Sequence, residues 1–146
     1  MKQELDDQLC AKYPKIFVNR HADMQTTAMC WGFECGDGWY NILDKLCGNI
    51  QSHIDWSIKN NTWDLEKDSK NVRPIITQVV AAQVKEKFGS LRFYYNGGDD
   101  YIRGLSSMAE SMSMVTCEEC GAPGKTRGKG WYYTACDAHT QEGDKE

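Results

Sequence analysis

Apolar positions recur at different spacings along the chain, and each spacing predicts a different element. Leu5, Leu9 and Tyr13 recur every four residues and predict a short polar helix from Gln3 to Tyr13, stopped by Pro14. Lys15-Ile16-Phe17-Val18 predicts a short strand, and the polar run Asn19 to Thr27 a loop. From Gly38 onward Trp39, Leu43, Leu46, Ile50, Ile54 and Ile58 step by three or four, with Cys47 and Trp56 beside the stripe. That is a long helix, N-capped by Asp37 and stopped near Asn60-Asn61. Thr62 to Arg73 is charged with little periodicity and predicts a surface loop ending at Pro74. Ile75 to Val84 is rich in β-branched residues, and past Gly89 the apolar Leu91, Phe93 and Tyr95 alternate with Arg92 and Tyr94. Period-two alternation across a short connection predicts a β-hairpin with one apolar face and one showing Arg92 and Tyr94. Asn96-Gly97-Gly98-Asp99-Asp100 is a turn ending in an N-cap, and Tyr101, Leu105, Met108, Ala109 and Met112 then form a second helical stripe.

These elements define an α+β fold. Residues 1–115 form a small domain with a long helix, a β-hairpin and a second helix, and residues 116–146 a separate C-terminal segment. That segment carries two candidate ligand pairs at one spacing. Cys117-Glu118-Glu119-Cys120 and Cys136-Asp137-Ala138-His139 share a two-residue gap and lie fifteen residues apart. One such turn points two ligands at an ion, and a second closes a tetrahedron of three thiolates and one imidazole, which suits zinc. Between them a glycine-rich turn and the short strand Trp131-Tyr132-Tyr133-Thr134 predict a zinc ribbon or treble-clef-like knuckle holding one structural ion. Four protein ligands leave no position for an activated water, so the predicted role is scaffolding. The polar tail, Thr140 to Glu146, is expected to fray.

Seven cysteines cannot all pair, and no apolar leader precedes Met1-Lys2-Gln3-Glu4, so the expected setting is a reducing cytoplasm. No apolar run approaches the length of a membrane span. A net charge of -4 means that any attraction to nucleic acid must be local. Five Trp, seven Tyr and four Phe are many for 146 residues, and they suit either a tight core or a recognition surface.

Met29-Cys30-Trp31-Gly32-Phe33-Glu34-Cys35-Gly36-Asp37-Gly38-Trp39-Tyr40, Val84-Lys85-Glu86-Lys87-Phe88-Gly89-Ser90-Leu91-Arg92-Phe93-Tyr94-Tyr95, and Met108 through Cys120 resemble a family of small proteins encoded by tailed phages and prophages. The resemblance covers about two thirds of the chain and brings no activity with it. It implies an accessory product in a bacterial cytoplasm, where it binds and disables a host factor such as a defence component. A host protein is the expected partner, with a small nucleotide or nucleic acid as the others.

Three groups of residues are candidates for carrying such a role. Trp31, Phe33, Trp39 and Tyr40 together with Lys85, Lys87, Arg92 and Tyr94 offer rings for stacking and cations for phosphate, or else a core with a solvated rim. Lys125, Arg127 and Lys129 lie on the glycine-rich turn before Trp131 and Tyr132 and suit nucleic-acid phosphates, or else simply solubilise the turn. Cys30, Cys35, Cys47 and His53, with His21, have spacings that a second metal site tolerates, although Cys47 equally suits a buried thiol. For catalysis only Glu34 and Asp37 flank a cysteine, and no P-loop, dinucleotide fingerprint or nucleophile elbow occurs. The expected class is a binding protein, with an enzyme least favoured.

Overall fold

The computed structural model describes residues 1–67 and 75–144. The architecture is α+β, with a long helix and a second helix packed on a small mixed sheet and a C-terminal Cys/His cluster. Helix α1 (Gln3–Lys12) buries Leu9 and Asp6. The Asp6 carboxylate accepts two-pronged bonds from Arg20 at 2.9 Å each, and the same guanidinium donates to the Cys30 carbonyl at 2.9 Å. A buried charge is tolerable when it is bonded on this scale, and Arg20 thereby ties the polar 19–27 segment to α1.

Lys15 to Val18 is not the expected strand. The chain turns repeatedly after Pro14, burying Ile16 and Phe17, and the Ile16 carbonyl accepts the Ala81 amide at 2.8 Å. The segment therefore satisfies the sheet locally without joining it as a strand. Strand β1 (Phe33–Glu34) is short and runs parallel to β2 (Val80–Lys87), with Phe33 beside Val84 and Glu34 beside Lys85.

Helix α2 (Tyr40–Lys67) follows a 3₁₀ turn at Asp37–Trp39. Trp39, Leu43, Leu46, Cys47, Ile50 and Ile54 form its buried stripe as expected, whereas Trp56 and Ile58 are exposed. The helix does not stop at Asn60-Asn61. The Asn60 side chain bonds back to the Trp56 carbonyl at 2.8 Å, inside the helix, and Asn61 is buried, so neither residue acts as a breaker. Residues 62–67, expected as loop, are thus helical, and 68–74 lie outside the described residues. Asp37 is not an N-cap either, since its carboxylate accepts the Lys2 amide at 2.7 Å instead.

β2 pairs antiparallel with β3 (Ser90–Asn96), with a bulge between Ala81 and Gln83. Val84 pairs with Phe93 and Glu86 with Leu91, and Val84, Leu91 and Phe93 are buried in the core, while Gln83 opposite Tyr94 and Lys85 opposite Arg92 are less buried. The predicted alternation is met. The connecting turn is Phe88-Gly89, with φ of 54° and 80°. Two consecutive positive φ values make the turn that matches strand twist, but Asn or Gly normally fills the first position. A phenylalanine there costs about 1 kcal/mol of backbone strain. Helix α3 (Asp100–Ser113) is capped by Asp99, whose carboxylate accepts the Ile102 amide at 3.0 Å and bonds His53 Nε2 at 2.9 Å.

The C-terminal segment contains β4 (Lys125–Arg127) paired antiparallel with β5 (Tyr133–Ala135), so Lys125 and Arg127 belong to a strand and not to a flexible turn. It packs on the rest of the molecule at two places. Gly38 donates its amide to the Glu118 carbonyl at 2.7 Å, Gly36 donates to the Glu118 carboxylate at 2.9 Å, and Trp39 Nε1 donates to the Thr116 carbonyl at 2.9 Å. At the second place the Thr134 hydroxyl donates to the Gly89 carbonyl at 2.6 Å. The tail is held as far as it is described: Thr140 is buried, Glu142–Asp144 forms a 3₁₀ turn, and the Tyr133 hydroxyl donates to Asp144 at 3.0 Å. Fraying is therefore not seen to residue 144.

Two substitutions test this frame. A Cβ on Gly38 would lie 2.5 Å from the Gly121 nitrogen, so Gly38→Ala should lower stability by about 3 kcal/mol, read as a drop in urea midpoint. Asp44 accepts Lys12 Nζ at 2.6 Å and the Tyr13 hydroxyl at 2.8 Å, and these bonds hold its carboxyl below the ordinary value of 3.8. A lowered carboxyl favours folding above its ordinary value and loses that contribution as pH falls through its folded-state value. Asp44→Asn should therefore cost about 1 kcal/mol at neutral pH, and thermal melts should show the gap closing in strong acid.

Candidate functional site

The Cys/His cluster is assembled by two turns. Gly121, at φ 78°, donates its amide to the Cys117 carbonyl at 2.8 Å, which folds Cys120 back toward Cys117. Cys136 precedes the 3₁₀ turn Asp137–His139, and His139 donates its amide to the Cys136 carbonyl at 3.1 Å. The four ligand atoms lie within 4.8 Å of one another. Cys120 Sγ is 3.8 Å from Cys136 Sγ, and His139 Nδ1 is 3.6 Å from Cys117 Sγ and 3.2 Å from Cys136 Sγ. Thiolates bound tetrahedrally at about 2.3 Å from an ion sit about 3.8 Å apart, so the donor set fits a metal. Burial pushes the Cys136 thiol up, but hydrogen bonds from the His139 ring and backbone outweigh it and bring the thiol down to about 6. Cys117 is also lowered, whereas Cys120 is raised, since a backbone bond from Ala122 is outweighed by burial and by the hydrogen bonds it shares with Cys117 and Cys136. The cluster therefore favours ionisation at Cys117 and Cys136 and opposes it at Cys120.

Cys30, Cys35, Cys47, His53 and His21 are not brought together; among the described residues the C-terminal group is the cluster with metal-ligand geometry. Cys47 is fully buried in the α2 stripe, where burial raises its thiol, and burial pushes Cys35 up to about 12. His53 is engaged by Asp99. Glu34 accepts from Gln83 at 3.1 Å and Asp37 serves Lys2, so the two carboxylates have separate structural duties.

The aromatic and basic candidates divide. Phe33 and Trp39 are core, Tyr40 packs against the core and donates its hydroxyl to Gln8 at 3.2 Å, and Trp31 is exposed but outside the groove described next. Arg92 is ion-paired with Glu110 on α3. Lys85, Lys87 and Tyr94, however, line an open groove of about 470 Å³ together with Phe88, Trp131 and Tyr132. Its other lining residues are Gln83, Glu86 and Gly130. One wall is the β2–β3 hairpin and the other the 130–132 segment of the knuckle. Two surfaces that are far apart in sequence are therefore one surface in space. Its four rings are open to solvent: Trp131 at 78%, Phe88 at 68%, Tyr132 at 47% and Tyr94 at 42%. Phe88 was not among the expected site residues, although a single residue before glycine between two alternating runs is the signal for a turn that displays it.

Lys125 and Lys129 border a different cleft, shared with Asp144. Arg127 is withdrawn from solvent, since its guanidinium donates to the Ala135 carbonyl at 3.0 Å and to Asp137 at 2.5 Å. The expected basic trio is thus two exposed lysines and one structural arginine. Comparison with protein-family models, curated proteins and solved structures found no match. No helix among the described residues is long and apolar enough to cross a membrane.

Ligand substitution should read out the cluster. Cys120→Ser should abolish stoichiometric metal in the purified chain and lower stability by about 3 kcal/mol or more, whereas His139→Cys, which preserves a four-ligand set, should keep the metal. Elemental analysis beside urea unfolding measures both.

Proposed function

We propose that the chain is a zinc-stabilised, non-enzymatic binding protein that acts in a bacterial cytoplasm by engaging a host factor and blocking it. The observation that carries this reading is the groove. Large rings left open to water are unfavourable for a monomer and characteristic of recognition sites, where they supply most of the binding energy. Zinc is the ion best matched to three thiolates and an imidazole, and with every position filled by protein it holds the groove's second wall in place. The resemblance to phage-encoded proteins supplies the setting, and a defence or regulatory component of the bacterium is the target that setting favours.

A second reading uses the same groove for sequestration of a signalling nucleotide, favoured by Lys85 and Lys87 beside the rings. A nucleic-acid regulator working through Lys125, Arg127 and Lys129 has less support, because Arg127 is committed to Asp137 and Ala135.

Blocking without turnover has a stoichiometric signature. Titrating the protein into an extract that supports the affected host activity should give inhibition that saturates at one chain per target, and Trp131→Ala should weaken it at least tenfold while the melting temperature stays unchanged. Inactivation of many targets by one chain would contradict the reading.

A further inference from the structure

Resting on the groove as the binding site, we infer that what it takes is single-stranded nucleic acid, with unstacked bases on the rings and phosphates on Lys85 and Lys87. Two independent features of the groove lead there. The first is its chemistry. Exposed rings of Phe88, Tyr94, Trp131 and Tyr132 face a trough whose cations, Lys85 and Lys87, make no ion pair among the described residues. Flat rings beside amines suit a ligand that alternates aromatic planes with negative charge, as a nucleotide strand does. An apolar peptide would leave the amines without partners, and a duplex hides the faces of its bases. The nearby carboxylates are already bonded, Glu86 to the Gly89 amide at 2.7 Å and Glu34 to the Gln83 amide at 3.1 Å.

The second feature is backbone strain. Phe88 occupies a left-handed conformation, at φ 54°, in a turn where asparagine would be unstrained, and its ring is largely exposed. Within the chain the ring meets the Lys87 amine, and strain kept at an exposed aromatic is a pointer to a ligand. Lys87 Nζ lies 5.4 Å from the centre of the same ring, which places a phosphate-binding charge beside a stacking plane. The groove presents four exposed rings, more than the single base of a mononucleotide can cover, whereas successive bases of a strand can occupy several of them.

Fluorescence anisotropy of the full, metal-loaded chain with labelled oligo(dT) and oligo(rU), against a duplex of equal length and against free mononucleotides as competitors, tests this inference. The strands should bind, the duplex should bind at least tenfold more weakly, and mononucleotides should compete poorly. Trp131→Ala and Phe88→Asn should each weaken strand binding about tenfold. Lys85→Gln with Lys87→Gln should flatten the log–log salt slope by about 1.4. Phe88→Asn carries a second readout, because relief of strain should leave its melting temperature at or above that of the parent chain. Absence of strand binding at low salt would overturn the inference, as would binding that these groove variants do not change. Mononucleotides that bind as tightly as strands would replace it with the sequestration reading. If strands do not bind while Trp131→Ala still relieves a nuclease-resistant block of the host activity, the ligand assignment falls and the proposed function stands.

Discussion

Everything in this structure depends on how closely the backbone of residues 36–38 approaches the first metal-binding turn. Gly38 lies against Cys117 and Gly121 with no room for a Cβ, and its amide is bonded to the Glu118 carbonyl. The N-terminal end of α2 and the metal cluster are therefore held by main-chain contact. Only glycine allows such contact, and only a fixed loop can supply its other side. The ligand atoms of three cysteines and a histidine lie within 4.8 Å of one another at that loop, and a metal held by them would fix it far better than the few buried side chains of the segment could.

From this contact the groove follows. With the turn anchored to α2, the β4–β5 pair is carried toward the tip of the β2–β3 hairpin, where Thr134 bonds the Gly89 carbonyl. Trp131 and Tyr132 then stand across from Lys85, Phe88 and Tyr94. The hairpin tip has opposing requirements. Gly89 must fit against Thr126 and Tyr133, where a Cβ would meet atoms at 3.3 Å, while its neighbour Phe88 holds a strained conformation and points a ring into water. The first requirement is structural. The second places an exposed ring at the edge of the groove.

Local patterns in the sequence were enough for the two helices, the hairpin alternation and the Cys/His cluster, because each is encoded within a few consecutive turns or one repeated spacing. Asn60 and Asn61 misled because a polar side chain that ends a helix in one context can bond back into it in another, as Asn60 does to Trp56. Lys15 to Val18 misled because its apolar pair is buried by turning, with a single carbonyl serving the sheet. The rings could not be sorted from sequence at all. Trp39 and Trp131 look alike in a string of letters, yet one is fully buried and bonded to Thr116 while the other is the most exposed ring of the groove, and only tertiary contacts separate them. Arg127 is a similar case, since its guanidinium bonds the Ala135 carbonyl and Asp137, contacts that its place in a glycine-rich basic run does not reveal.

The central claim is that the metal holds the groove's second wall by clamping the turn that α2 rests on. Amide hydrogen exchange before and after chelation measures this directly, residue by residue. The account predicts that removing the metal will deprotect not only Cys117 and Glu118 but also Gly38, nearly eighty residues away in sequence, while amides in the middle of α2 and in the paired part of β2 and β3 stay protected. Gly38 remaining fully protected in the metal-free protein would contradict it, because the knuckle would then be held by packing alone and the cluster would be incidental to the fold.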